Sequence, residues 1–185
     1  MKIYRAIRTN FITQKFGKEN TPSNLLPIYQ SLGLEGHDGV DFSVSCRNNS
    51  AKTGGQCESV YCDISNGATI TYIQKDVERG FGIIAIDVNG DKHIWWHFDS
   101  INPSLKVGDK IEGGTLLGVG GNTGKSTGAH LHRAYYRYNE PQDNGYDGAC
   151  DLTPVFVNIF INDYIATQKT TISLLQKLIN LLLKK

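Results

Sequence analysis

The sequence predicts an all-β or β-dominated domain followed by a C-terminal amphipathic helix, and three observations carry that reading. Short β-type runs at residues 40–45, 59–62, 68–74, 82–88, 93–98, 115–119 and 130–138 are separated by Gly, Asn, Asp and Pro clusters, a spacing typical of strands joined by turns. No helical period of useful length precedes the C-terminus, where Ile172, Leu175, Leu178, Ile179 and Leu182 recur at steps of three and four. The length of 185 residues suits one domain with a modest appendage.

Residues 1–36 are mixed and loop-rich, with Pro22 and Pro27 interrupting any long periodic element. Charges are interleaved among the first apolar residues, so no signal peptide is recognised. The strand-like runs begin at Val40 and are punctuated by Ser65-Asn66-Gly67, Val88-Asn89-Gly90-Asp91 and Val107-Gly108-Asp109. Between Cys46 and Cys57 the chain is polar and Gly-containing and reads as an inserted surface loop. A disulfide closing it is sterically allowed, and free thiols are the other reading. The segment Gly118 to Ser126 resembles a phosphate-binding loop, but Val119 stands where a Gly is needed and a strand follows instead of a helix. The tail reads as a helix of about four turns, its C-terminus suited by Lys184 and Lys185. Residues 1–160 are therefore expected to form the domain and 161–185 a helical tail.

Composition narrows the function. Nineteen Lys and Arg against 18 Asp and Glu leave a formal charge of +1, with no basic footprint for nucleic acid. No apolar run is long enough for a membrane span. The chain has five His, and four of them fall in three tight contexts: His37 with Asp41, His97 beside Trp95 and Trp96, and His130 with His132. In a strand, His130 and His132 share one face and Leu131 takes the other. His37 and Asp41 are also evenly spaced. Bringing these segments together supplies two imidazoles and a carboxylate, a usual three-ligand set for catalytic zinc with a fourth position left for water. His93 is assigned no role and is expected to face solvent.

Two motifs, Glu35-Gly36-His37-Asp38-Gly39-Val40-Asp41-Phe42 and Gly124-Lys125-Ser126-Thr127-Gly128-Ala129-His130-Leu131-His132, occur in that order with His97 between them. In this the chain resembles the lysostaphin-type (LytM-like) zinc metalloendopeptidases, which cut the peptide part of bacterial peptidoglycan. The resemblance runs from about Phe11 to Phe156 and includes Val107-Gly108-Asp109-Lys110 followed by Gly113-Gly114-Thr115-Leu116-Leu117-Gly118. It implies an antiparallel-sheet groove with one zinc ion on its floor. It assigns metal binding to His37, Asp41 and His132, and catalytic roles without ligation to His97 and His130. Zinc so held polarises a scissile carbonyl and lowers the pKa of its water to about 7, and the uncoordinated imidazoles exchange protons near neutrality. The chain departs from the family in the insertion after Asp41 and in Trp95-Trp96-His97-Phe98, where a Tyr-containing approach to the His is more usual. The implied substrate is a cell-wall peptide and the implied place of action is the bacterial wall, with a phage-borne origin among the routes there. A catalytically silent wall-binding module and a phage-particle component of the same fold are the competing readings. The apolar stripe of the tail must bury itself against the domain or against another copy.

Overall fold

A computed structural model of the chain describes residues 1–46, 57–76 and 80–183. Its elements are strands β1 (Ile3–Arg5) and β2 (Ile12–Gln14), helix α1 (Leu26–Ser31), strands β3 (Val40–Ser43), β4 (Ser59–Tyr61), β5 (Ala68–Asp76), β6 (Gly80–Ile86), β7 (Lys92–Ile101), β8 (Lys110–Ile111), β9 (Leu116–Gly120), β10 (His130–Tyr136) and β11 (Phe156–Phe160), and helix α2 (Ile161–Leu182). All seven predicted runs are strands, each within three residues of its expected bounds. The polar run inside the Cys46–Cys57 loop and the lysines ending the tail lie outside the described residues. The two cysteines flanking that run are joined in a disulfide, while Cys62 and Cys150 are free and buried.

The long strands form where β-branched and aromatic residues concentrate, as in Gly80–Ile86 and Lys92–Ile101. The Asn89-Gly90 turn joins them, with Gly90 at φ 85. The main sheet runs β2-β3-β10-β7-β6-β5-β8, and β9 pairs with both β7 and β4. Every pairing in it is antiparallel. A separate parallel pair, β1 with β11, ties the start of the chain to the segment just before α2. Neither strand was read from the sequence, because three to five residues in mixed surroundings show no alternation to detect.

Antiparallel partners directly opposite one another share a face, so the register sorts the sheet into two sides. One row crosses it as Asp41, His132, Trp96, Gly82 and Gln74. The next row, Val40, Arg133, Trp95 and Ile83, points the other way into the core with Ile3, Ile64, Val60, Ile70, Phe98, Leu117 and Leu131. Arg133 is thus a cation in the hydrophobic interior, only 1% exposed. Its Nε and Nη2 donate to both oxygens of Asp63 at 2.9 and 3.1 Å, Nη2 also donates to His93 Nδ1 at 2.9 Å, and the guanidinium lies 4.5 Å from the Trp95 ring.

That network corrects the expectation for His93, which is fully buried. Burial, and then the charge of Arg133, push its pKa below the ordinary value, so it is a neutral core residue whose Nε2 faces Asp87 at 3.5 Å. A lone His in a strand carries no sequence signal that separates this case from exposure.

Among the described residues, helix α2 is anchored at its base. Ile161 is fully buried, Tyr164 stacks on Tyr4 with ring centroids 4.3 Å apart, and Arg8 pairs with Asp163 at 3.3 Å. Beyond that turn the predicted stripe does not return to the domain: Ile172, Leu175, Leu178, Ile179 and Leu182 are each about half exposed or more. No helix among the described residues is long and apolar enough to cross a membrane.

Removing one partner of a buried ion pair strands the other charge, which typically costs about 3–5 kcal/mol, whereas replacing both with apolar residues of similar size costs far less. Asp63→Ala is therefore expected to lower unfolding stability by about that amount, and Asp63→Leu with Arg133→Met to recover most of it, both read from urea unfolding curves.

Candidate functional site

His37 reaches the site from the loop before β3 and is gripped on two sides. Its backbone N–H donates to Thr21 Oγ1 at 2.9 Å, and its Nδ1 lies 2.9 Å from the carbonyl oxygen of Lys15. A carbonyl oxygen only accepts, so Nδ1 carries a proton there and Nε2 is the nitrogen turned to the site. Four residues on, Asp41 opens the site row from β3. Between them Gly39 is required by contact, since a side chain there would meet His132 Cε1 at 2.7 Å and the Arg133 carbonyl at 2.8 Å.

The three donor atoms His37 Nε2, Asp41 Oδ1 and His132 Nδ1 form a triangle with every side 3.1 Å. A tetrahedral zinc with bonds of about 2.0–2.1 Å needs ligand atoms roughly 3.3–3.4 Å apart, so the donor set fits that ion in type and spacing. Burial works against ionising Asp41, but hydrogen bonds from His132 and His37 outweigh it and hold the carboxyl far below the usual range. Burial likewise opposes a charged His132, yet its hydrogen bond to Asp41 and the charges of Asp38 and Asp41 hold its pKa above the ordinary value.

A second carboxylate stands close by. His37, Asp38 and His132 also offer donor atoms within 4.8 Å of one another. Asp38 Oδ1, however, lies 3.7 Å from Nε2 of His132, the ring nitrogen facing away from the triangle. At Nδ1 of His132 the nearer carboxylate is Asp41, at 3.1 Å, and Asp38 lies beyond the far edge of the same ring.

The remaining histidines flank this cluster. His130 lies on the same strand face as His132, with Nε2 3.5 Å from Asp41 Oδ2, while Leu131 between them is buried in the core as the alternation predicts. His97 follows Trp96, whose place in the row is opposite His132, and would by alternation turn away. It has φ 70, and the register slips at this point between β6 and β7. The bulge re-aims its ring to 4.6 Å from His130 and 6.1 Å from His132. Burial first, and then the charges of His130 and His132, push His97 down to about 4, so the ring is neutral at pH 7.

Both flanking rings are set by one loop. His97 Nδ1 lies 2.7 Å from the Thr123 carbonyl and His130 Nδ1 2.8 Å from the Gly128 carbonyl, so each carries its proton on Nδ1 and keeps Nε2 for the site. Thr123 fastens the loop by donating to Phe98 O at 2.6 Å and accepting from the Phe81 N–H at 2.9 Å. The Gly-rich stretch that resembled a phosphate loop is thus the scaffold for two imidazoles.

All five histidine and aspartate residues singled out from the sequence come together here. Tyr29 on α1 was not foreseen. Its ring lies 5.7 Å from that of His37, and burial, with the charges of Asp41 and Asp38, keeps its phenol protonated well beyond its usual range. It lies in a segment with no motif, so nothing in the sequence marks it.

Residues 35–144, more than half of the chain, match peptidase family M23. The chain is 30% identical over 105 residues to glycyl-glycine endopeptidase ALE-1 of Staphylococcus capitis, a match covering 55% of this chain and 25% of that protein. The stretch therefore spans only a quarter of that relative. Among solved structures, the catalytic domain of lysostaphin from Staphylococcus simulans superposes with a TM-score of 0.50 at 24% identity, covering 72% of this chain and 96% of that one. A zinc-containing peptidase from Vibrio cholerae gives 0.54 at 19% identity, covering 82% and 39%. These two likenesses concern the fold, which is the strand-dominated, largely antiparallel architecture expected from the sequence. Together with the match over both histidine motifs, they lead to one conclusion: the chain belongs to peptidase family M23.

Proposed function

We propose that the protein is a zinc-dependent endopeptidase that hydrolyses peptide bonds in bacterial peptidoglycan. The observation that carries this reading is the 3.1 Å triangle of His37, Asp41 and His132 with two anchored imidazoles beside it. The names of the relatives, a glycyl-glycine endopeptidase and a zinc-containing peptidase, support the substrate class and the metal. Action at the bacterial wall follows from that substrate. The peptidase domain is assigned to residues 1–160, which end where β11 closes against β1, and the tail to 161–185.

In this reading His37 Nε2, Asp41 Oδ1 and His132 Nδ1 hold one zinc ion, which when bound supplies Lewis acidity to a scissile carbonyl and an acidified water. Asp38 orients His132 from its far nitrogen. The His97 and His130 Nε2 atoms, turned to the site by their Nδ1 contacts, would take the proton from the attacking water and return one to the leaving amine. The two rings divide the base and acid roles between them. The Tyr29 phenol stays protonated beside the carboxylates and keeps an O–H to donate toward the site.

The purified protein is expected to carry about one zinc by elemental analysis. Ligands must bind the metal deprotonated, and the raised pKa of His132 means that protons compete for it. Zinc affinity should thus rise as pH rises, with proton release on uptake, measured by metal titration at several pH values. No uptake of any transition metal would remove the proposal.

His130→Ala is expected to keep zinc and lose activity by roughly 10²–10⁴-fold, while His132→Ala loses both. Digestion of purified peptidoglycan followed by fragment masses, with metal content measured alongside, reads the two effects separately. Activity lost with equal metal loss in both would refute the division of roles.

The exposed stripe of α2 is assigned to self-association. Truncation from Thr170 should leave zinc uptake, hydrolysis of a soluble peptide and the melting temperature nearly unchanged, because the buried contacts of the helix precede that point. It should lower the oligomeric mass in light scattering; a monomer before and after truncation would contradict the assignment.

A further inference from the structure

The site row does not stop at His132. Its next members are Trp96, Gly82 and Gln74 on successive strands. Strands are spaced about 4.7–4.9 Å apart, so Trp96 is the first surface a bound peptide meets on leaving His132 away from Asp41. Three such steps, to Gln74, match about four residues of extended chain at roughly 3.3–3.4 Å each.

This part of the floor is raised. A side chain on Gly82 would meet Trp96 Cε3 at 1.5 Å and Cζ3 at 1.8 Å, so the six-membered ring of Trp96 occupies the space that every other residue at position 82 would fill. Along the strands the indole packs against the cluster of Ile94, Ala134, Tyr136 and Ala149, as Ile84 also does. It remains partly exposed, whereas its neighbour Trp95 is fully buried on the opposite face. A large rigid aromatic seated on a glycine beside His132 leaves no pocket beneath it.

Taking the row as a peptidase site, we propose that Trp96 is a specificity-determining residue that packs against the substrate residue adjoining the cleaved bond and excludes bulky or branched side chains there. A Gly or Ala lets the peptide backbone lie on the indole and bury its aromatic surface. A β-branched side chain directed at the floor lifts the chain away from the catalytic groups. Gly82 takes part by letting the ring sit low enough for any peptide to pass.

The experiment uses the full-length, zinc-loaded protein and two probes, pentaglycine and Gly-Val-Val-Val-Gly. The chain has two Trp, and only Trp96 lies on the site face, so its emission reports contact directly. Pentaglycine bound to the His130→Ala variant, with binding verified by calorimetry, is expected to shift tryptophan emission, and the shift should be absent in the same variant carrying Trp96→Phe. In the wild type kcat/KM should favour pentaglycine by roughly tenfold or more, and Trp96→Ala should reduce that ratio to below about threefold while retaining zinc. An unchanged ratio in Trp96→Ala, or saturable binding with no change in emission, overturns the assignment. If Trp96→Ala fails to fold, the emission result decides. Digestion of intact walls with no binding of either peptide sinks this inference alone; no binding and no wall digestion sinks the peptidase reading with it.

Discussion

The fork from Arg133 to Asp63 is the interaction on which the site depends. Arg133 follows His132 directly on β10, and in a strand the two must point to opposite faces. A slip of one residue in register would turn His132 into the core and Arg133 out of it. The guanidinium, placed 1% exposed beneath the sheet with both oxygens of Asp63 and the nitrogen of His93 as partners, is satisfied in one register only. The same bond that holds a charge in the interior therefore determines which way the histidines above it face. Replacing that charge by packed hydrocarbon would hold the core together, but a buried apolar residue discriminates less sharply between neighbouring registers.

Above the sheet, backbone carbonyls assign the protons. His37, His97 and His130 each have Nδ1 within 2.9 Å of a main-chain carbonyl, those of Lys15, Thr123 and Gly128, and each presents Nε2 to the centre. His132 is turned the other way, with Nδ1 in the triangle and Nε2 toward Asp38. Because these contacts come from loops fastened to the sheet, the rings are ordered before any ligand arrives. Less orientational freedom remains to be lost when a substrate binds.

Much of this was legible in the sequence because periodicity carries direct geometric information. The period of two in His130-Leu131-His132 put both rings on one face, with Leu131 in the core, and the strand-turn rhythm from Val40 onward marked the sheet; His37 joins them from a loop, beyond the reach of strand alternation. The features that were missed depend on contacts between distant segments. The β1–β11 pair joins residues at opposite ends of the chain, His93 is buried by an Arg 40 positions away, and Tyr29 reaches His37 from a helix of six residues. His97 was found by motif, yet its orientation relies on a bulge that strand alternation argues against.

The Cys46–Cys57 bond brings the stems of the intervening segment to a Cα separation of 3.9 Å, five residues after Asp41. Below it, Glu58 accepts hydrogen bonds from the backbone N–H groups of Arg8, Thr9 and Ser45 at 3.1, 3.0 and 2.9 Å, so the strand carrying Asp41 is clamped independently of what lies between the cysteines. Closing a longer loop costs little extra, about 0.6 kcal/mol per doubling of its length. The number of residues between the cysteines can thus change at small entropic cost, while the spacing of the three donor atoms is held from the sheet side of the bond.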